Sequence, residues 1–262
     1  MIEFTADQLY LWINAFIWPL FRVLGLFASA PLFSESSITP QLKVGIAVVI
    51  SLAIAPTLDT MPVIPTGSWQ ALWLALQQIL IGISLGFVMR IVFAIVLVAG
   101  EFIGFQMGLS FASFFDPSSG SNTAVISRLL NIVTMLIFLA VNGHLVMLQA
   151  FIYTFEMFPI APATLHPDGW GVIMDWSRDI FLSGLLLALP LIIVLLTMNL
   201  AFGILNRTAQ QITIFAVGFP ITLSTGLILL IIVVPQMTPF LVMIMEAGYE
   251  NMARLMHGFA GN

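Results

Sequence analysis

An all-α integral membrane protein is the fold class that this sequence predicts, and three observations carry the prediction. Sixty per cent of the residues are apolar and 7% are charged, whereas an ordinary soluble domain carries about 25% charged residues. The apolar residues gather in long runs that follow one another closely. Short clusters of turn formers separate the runs. So few charges cannot cover a water-soluble surface, so most of the surface must face lipid or other apolar protein. No stretch between the runs is long enough for a separate soluble domain.

A helix needs about 20 apolar residues to cross roughly 30 Å of hydrocarbon. The first run covers residues 9–31. Acids precede it (Glu3 and Asp7) rather than the basic stretch of a signal peptide, so this span is expected to stay in the mature protein. The second run, 44–56, is short for a full crossing and should be a half-helix or be covered by protein. The third, 69–108, is far longer than a bilayer requires and should tilt, protrude or bend. A fourth span is expected over 125–158, a fifth over 180–205 and a sixth over 212–234. The last segment, 238–259, reads as a separate amphipathic helix, because Glu246, Glu250 and Arg254 recur every four residues on one stripe. Breaks are expected at 34–37, 62–68, 116–123 and 159–171. No internal repeat is visible.

The net charge is −5, from twelve acids and seven bases. With no basic cluster, nucleic acid is not an expected partner. Cysteine is absent, which removes disulfides and thiol chemistry. With the amino terminus outside, the outer loops carry Asp59, Glu156, Asp168, Asp175 and Asp179. The inner sides carry Lys43, Arg128 and Arg207, in line with the positive-inside rule, although Arg178 disagrees.

Ionisable groups within apolar runs are the first place to look for chemistry, because each is costly in a membrane. Arg22, Arg90 and Glu101 qualify. Arg90 and Glu101 lie about three turns apart on one helix, too far to pair. Arg22 has no partner visible in the sequence. These groups are expected to snorkel or to bond to neighbouring subunits rather than to couple ions. His144, His166 and His257 lack metal-ligand spacing, and no nucleotide loop, catalytic triad or metal motif is present. Neither a cofactor nor catalysis is expected.

Glycines mark packing. Gly82 and Gly86 are four apart, and Gly100, Gly104 and Gly108 repeat that spacing on the same long segment. This small-xxx-small pattern lets helix backbones approach closely. Pro19, Pro190 and Pro220 fall inside apolar runs and favour bends.

The stretch 106–120 is the most unusual. After Met107 come Phe111, Phe114 and Phe115, then Asp116-Pro117, Ser118 and Gly120. A loop both apolar and rich in breakers suits neither lipid nor water, so it should be enclosed by protein or line a lumen. It reads equally as a constriction or plug and as a re-entrant packing loop.

These residues carry a family resemblance. The sequence resembles the FliR family of flagellar type III export-gate subunits and their virulence-secretion counterparts. The resemblance rests on Leu52-Ala53-Ile54-Ala55-Pro56 and on 78–117, with Gln106-Met107-Gly108-Leu109-Ser110-Phe111-Ala112 at its heart. It rests also on 188–199, Asn206-Arg207 and Phe215-Ala216-Val217-Gly218-Phe219-Pro220. Trp18-Pro19-Leu20-Phe21-Arg22-Val23 and Asn142-Gly143-His144 fit as well. Ala209-Gln210-Gln211 departs from the Ala-Pro-Gln usual in flagellar members, which puts the turn after Arg207 in question.

The resemblance implies long kinked helical hairpins packed laterally in a hetero-oligomer, in the bacterial inner membrane at the flagellar basal body and projecting to the periplasmic side. It implies one copy of the chain among several FliP and FliQ subunits, with FlhB at the cytoplasmic side and unfolded flagellar proteins as cargo. It further implies a FliP-like part over about 1–170, a FliQ-like hairpin over about 180–262, and a pore plug over about 106–123. Two rivals stay open from the residues. A stand-alone secondary transporter would need a polar mid-membrane site at broken helices. A membrane enzyme or anchor would need clustered acids or histidines, and Asp168, Asp175 and Asp179 read better as a solvated acidic loop.

Overall fold

Every secondary-structure element among the described residues is a helix, and the reasons are local. The computed structural model describes residues 6–35, 38–58, 64–65, 67–109, 125–208 and 214–261. Helix α1 spans Ala6–Ser29 and carries Pro19 within it. Helix α2, Pro40–Ile54, starts on a proline, whose missing N–H costs nothing in a first turn. A 3₁₀ turn, Ala55–Thr57, ends it, and the Thr57 hydroxyl donates to the Ile54 carbonyl at 2.7 Å. With that turn the segment reaches 18 residues, enough for a candidate crossing.

Helix α3 spans Trp69–Gln106, 38 residues, or about 57 Å. Ser68 caps it, its side-chain oxygen accepting the Ala71 N–H at 3.2 Å. Helix α4, Val125–Ala140, buries Ile126, Ser127, Leu130, Thr134 and Phe138, one stripe at helical spacing. Helix α5 is Gly143–Met157. The single span expected over 125–158 is therefore two helices. Asn142 adopts the left-handed conformation (φ 57°), which asparagine tolerates better than most residues, and Gly143 follows it as a weak helix former.

Helix α6, Asp168–Thr208, is 41 residues long, well beyond the 180–205 expected. Asp168 in its first turn and Arg207 in its last both complement the helix dipole. Helix α7, Ile214–Ala260, runs 47 residues through Pro220, Pro235 and Pro239. The two segments expected at 212–234 and 238–259 are thus one helix. Apolar surroundings favour keeping the backbone helical, even around residues that break helices in water.

The helices gather into two compact units. The first draws on Met1–Ile91, Asn142–Ser177 and Glu246–Asn262. Its core includes Trp18, Leu26, Phe27, Ile81, Leu85 and Phe151. Within it, Trp176 donates its indole N–H to the Val88 carbonyl at 3.1 Å, and the Tyr249 hydroxyl donates to the Gly143 carbonyl at 2.9 Å. The Trp170 and Phe259 rings meet edge to face. The second unit draws on Val92–Val141 and Arg178–Met245. Phe93 and Phe138 pack edge to face at its centre, 5.6 Å between centroids. Five helices, counted among the described residues, are long and apolar enough to cross a membrane. The chain is an all-α membrane protein.

Candidate functional site

The three phenylalanines follow, in the sequence, a helix end that is fixed on several sides. Gly108 has φ +82°, a left-handed conformation that glycine adopts without steric cost. Around it the Gly108 N–H donates to the Phe105 carbonyl and the Leu109 N–H to the Gly104 carbonyl, both at 3.1 Å. This pair of bonds is a Schellman cap, and it satisfies carbonyls that a helix end otherwise leaves bare. The Gln106 carbonyl is taken from another helix, because Asn199 of α6 donates its side-chain amide to it at 3.1 Å. Met107 is wholly buried and lies against Gly226 of α7, where an added side-chain carbon would meet the Met107 sulfur at 2.9 Å.

The start of α4, beyond the loop, is held against the same helix. A side-chain carbon on Gly100 would collide with the Ser127 backbone. The Ser127 hydroxyl donates to a Glu101 carboxylate oxygen at 3.2 Å. Thus α3, α4, α6 and α7 all touch the root of the loop within the second unit. Phe111, Phe114, Phe115, Asp116, Pro117, Ser118 and Gly120 themselves lie outside the described residues.

The glycines expected to pack helices divide into three kinds. Gly82 and Gly86 of α3 pack against α1. An added carbon on Gly82 would strike the Arg22 carbonyl and sit 2.8 Å from the Leu26 nitrogen, and one on Gly86 would sit 2.6 Å from the Ala30 nitrogen. Gly25 completes this seam from the α1 side, 2.5 Å from the Ile79 carbonyl by the same measure. Gly100 packs on α4, as above. Among the described residues, no atom beyond its own helix backbone lies within 4 Å of where the Gly104 side chain would begin, and Gly108 is the cap. The spacing treated all five alike; the close approaches are at Gly82, Gly86 and Gly100.

Arg22 is the other site of note, and it neither snorkels nor waits for a neighbouring subunit. Its side chain is fully buried. Nε donates to Gln78 Oε1 at 2.7 Å. Nη1 donates to the Thr154 carbonyl at 3.1 Å and to Thr154 Oγ1 at 3.3 Å. Nη2 donates to the Phe158 carbonyl at 3.0 Å, and the Phe155 ring lies 4.2 Å from the guanidinium carbon. Thr154 and Phe158 sit at the carboxyl end of α5, where the last carbonyls of the helix concentrate negative potential. A helix end therefore stands in for a carboxylate, with cation–π contact beneath, and α1, α3 and α5 are tied at one point. Arg90 is exposed on α3, with no ionic partner among the described residues.

Comparison with known proteins bears on these features together. Residues 13–248 match the family model described as "Bacterial export proteins, family 1", a stretch that contains both the loop root and the arginine cluster. The chain belongs to this family. It is 48% identical over 240 residues to the flagellar biosynthetic protein FliR of Escherichia coli (strain K12), covering 92% of each chain. It is 43% identical over 242 residues to the protein of that name from Pectobacterium carotovorum subsp. carotovorum, again covering 92% of each. The identity to the Bacillus subtilis (strain 168) FliR is 28% over 221 residues, 83% of this chain and 85% of that one. The FliR resemblance read from the sequence holds along nearly the whole chain of this export-family member.

Sequence reasoning did not single out Gly25, Gln78, Thr154 or Gly226 for these roles. Gly25 was within reach, because it follows Arg22 by three residues on a helix already read as a span. The others act through contacts made far away in the chain.

Proposed function

We propose that this chain is a non-enzymatic pore and gate subunit of the flagellar type III export apparatus. It stands in the bacterial inner membrane at the basal body, one copy among FliP and FliQ subunits, with FlhB at the cytoplasmic side. Unfolded flagellar proteins pass through the channel that the subunits enclose. Residues 1–170 supply the FliP-like part and 180–262 the FliQ-like hairpin.

The reading is carried by one observation: in a chain of an export family, the helix end that precedes the three phenylalanines in the sequence is clamped by Asn199, Gly226 and a glycine cap. A fixed root with an apolar, turn-rich continuation suits a plug. Phe111, Phe114 and Phe115 obstruct the lumen at rest, while Asp116, Pro117, Ser118 and Gly120 let the loop fold back. Closure works by steric block and by dewetting. The exposed apolar residues of α6 and α7, such as Leu200 at 65% and Ile231 at 76%, are covered by neighbouring chains or lipid. The energy for export comes from outside this chain.

Purification of the tagged chain in mild detergent, followed by mass measurement of the intact complex, tests the assignment. FliP- and FliQ-like subunits should co-purify with a single copy of this chain. A solitary, monodisperse chain that takes up a small solute when placed alone in liposomes would overturn it.

A further inference from the structure

Between positions 73 and 90, α3 exposes one narrow stripe. Trp73, Leu76, Leu80, Ile83, Phe87 and Arg90 follow in steps of three and four, and they are the exposed residues of that stretch. The five apolar members are each 39–48% exposed. On the other side of the helix, Leu74, Gln78, Ile81, Leu85, Val88 and Met89 are fully buried. A stripe one residue wide with three-four spacing is the seam that a facing helix fills with knobs in holes, and it is narrower than the broad face a helix turns toward a bulk apolar phase.

Arg90 decides what kind of helix fits. It sits in line with the seam, three residues after Phe87, and none of the described acids pairs with it. A guanidinium facing hydrocarbon is costly, whereas one polar residue in an otherwise apolar seam sets register and partner choice. A second copy in parallel would set Arg90 against itself. We propose that this seam docks one apolar helix of a different chain, bearing an Asp or Glu level with Arg90. The proposal rests on the reading of the chain as a subunit of a hetero-oligomer and adds to it a face and a partner chemistry. Pairing of this kind fixes the register of the two helices more than it adds raw affinity.

The complex purified from native membranes offers the test. A photoreactive phenylalanine analogue replaces Leu76, Leu80, Ile83 or Phe87 in turn, with Met174 on α6 as an exposed control site. All four seam sites should join covalently to the same foreign polypeptide, through an apolar peptide containing Asp or Glu. Arg90→Glu should lower that yield about tenfold, Arg90→Lys should largely keep it, and changing the partner acid to Lys should rescue Arg90→Glu. Adducts to lipid alone, adducts to a second copy, or a yield indifferent to Arg90→Glu would each overturn the proposal, while co-purification of the other subunits leaves the export-gate reading intact. A chain that purifies with no other polypeptide would sink both.

Discussion

At the scale of single residues, Arg22 ties three helices of the first unit together. Arg22→Met removes the charge but strands the Gln78 side-chain oxygen and the Phe158 carbonyl, and breaking such a buried set costs about 3–5 kcal/mol. Arg22→Lys keeps the charge, yet three donors on one nitrogen cannot reach acceptors on two helices as a planar fork does. Both variants should lower the thermal unfolding midpoint in detergent, Met more than Lys. Gln77 makes the contrast: its buried carboxamide has no hydrogen-bond partner among the described residues, so Gln77→Leu should be neutral or stabilising in the same assay. The sequence exposed Arg22 as a charge in an apolar run but hid its partners, because three of the four acceptors are oxygens of Thr154 and Phe158, two of them backbone carbonyls that every residue possesses. The glycines give a second residue-scale prediction. Gly82→Ala drives a methyl group into α1 backbone, which cannot yield as a side chain would, and should cost about 1–3 kcal/mol. Gly104→Ala has room and should cost nothing measurable. Equal midpoints for these two variants would refute the seam.

At the scale of elements, periodicity located the apolar helices well and their ends poorly. The starts and stops of α1 and α3 fall within a few residues of expectation, because turn formers or a serine cap flank them. Two of the misjudged boundaries, within α7 and between α4 and α5, share a physical cause: rules for Pro and Asn were learned in water and balance differently in an apolar setting. A span over 212–234 and a separate amphipathic helix over 238–259 were expected where α7 continues, with Pro235 and Pro239 inside it. Asn142-Gly143, which entered the sequence reading with His144 as part of the family resemblance and not as a break, is where α4 and α5 part. Gly108 was read as a packing residue, and its role as a cap becomes visible only through φ and the bonds to Phe105 and Gly104. That cap is testable as an element. Gly108→Ala places a side chain at φ +82° and should cost about 1 kcal/mol by the strain alone. Asn199→Ala strips the Gln106 carbonyl of its partner from α6. Each variant should loosen the end of α3 and raise small-ion conductance of the assembled complex in planar bilayers, by less than removal of the whole loop. An assembled Asn199→Ala complex as tight as the natural one would show that the α6 contact has no part in closure.

At the scale of the whole molecule, the two compact units are each assembled from early and late stretches of the chain, and α3, α6 and α7 contribute residues to both. Composition announced the membrane and the helices but not this partition, because hydropathy carries no information about which apolar faces meet. It also could not distinguish a plug from a packing loop, since both want an apolar, breaker-rich sequence. The difference between them is functional and can be measured. Deleting 111–119 removes the three phenylalanines and Asp116-Pro117-Ser118 while leaving the Gly108 cap, the Asn199 bond and the Gly100–Ser127 contact in place. The helices should therefore pack as before, and the complex should assemble with its usual mass. If the loop closes a pore, the deletion should raise ion leak sharply, because a dewetted apolar constriction is a steep barrier to ions and a widened polar path is not. If the loop only fills space between helices, the same deletion should open cavities, lower the unfolding midpoint and leave conductance unchanged. Recording conductance and stability on one preparation separates the two cases, and high leak with an unaltered midpoint is the outcome that the fixed root of the loop leads one to expect.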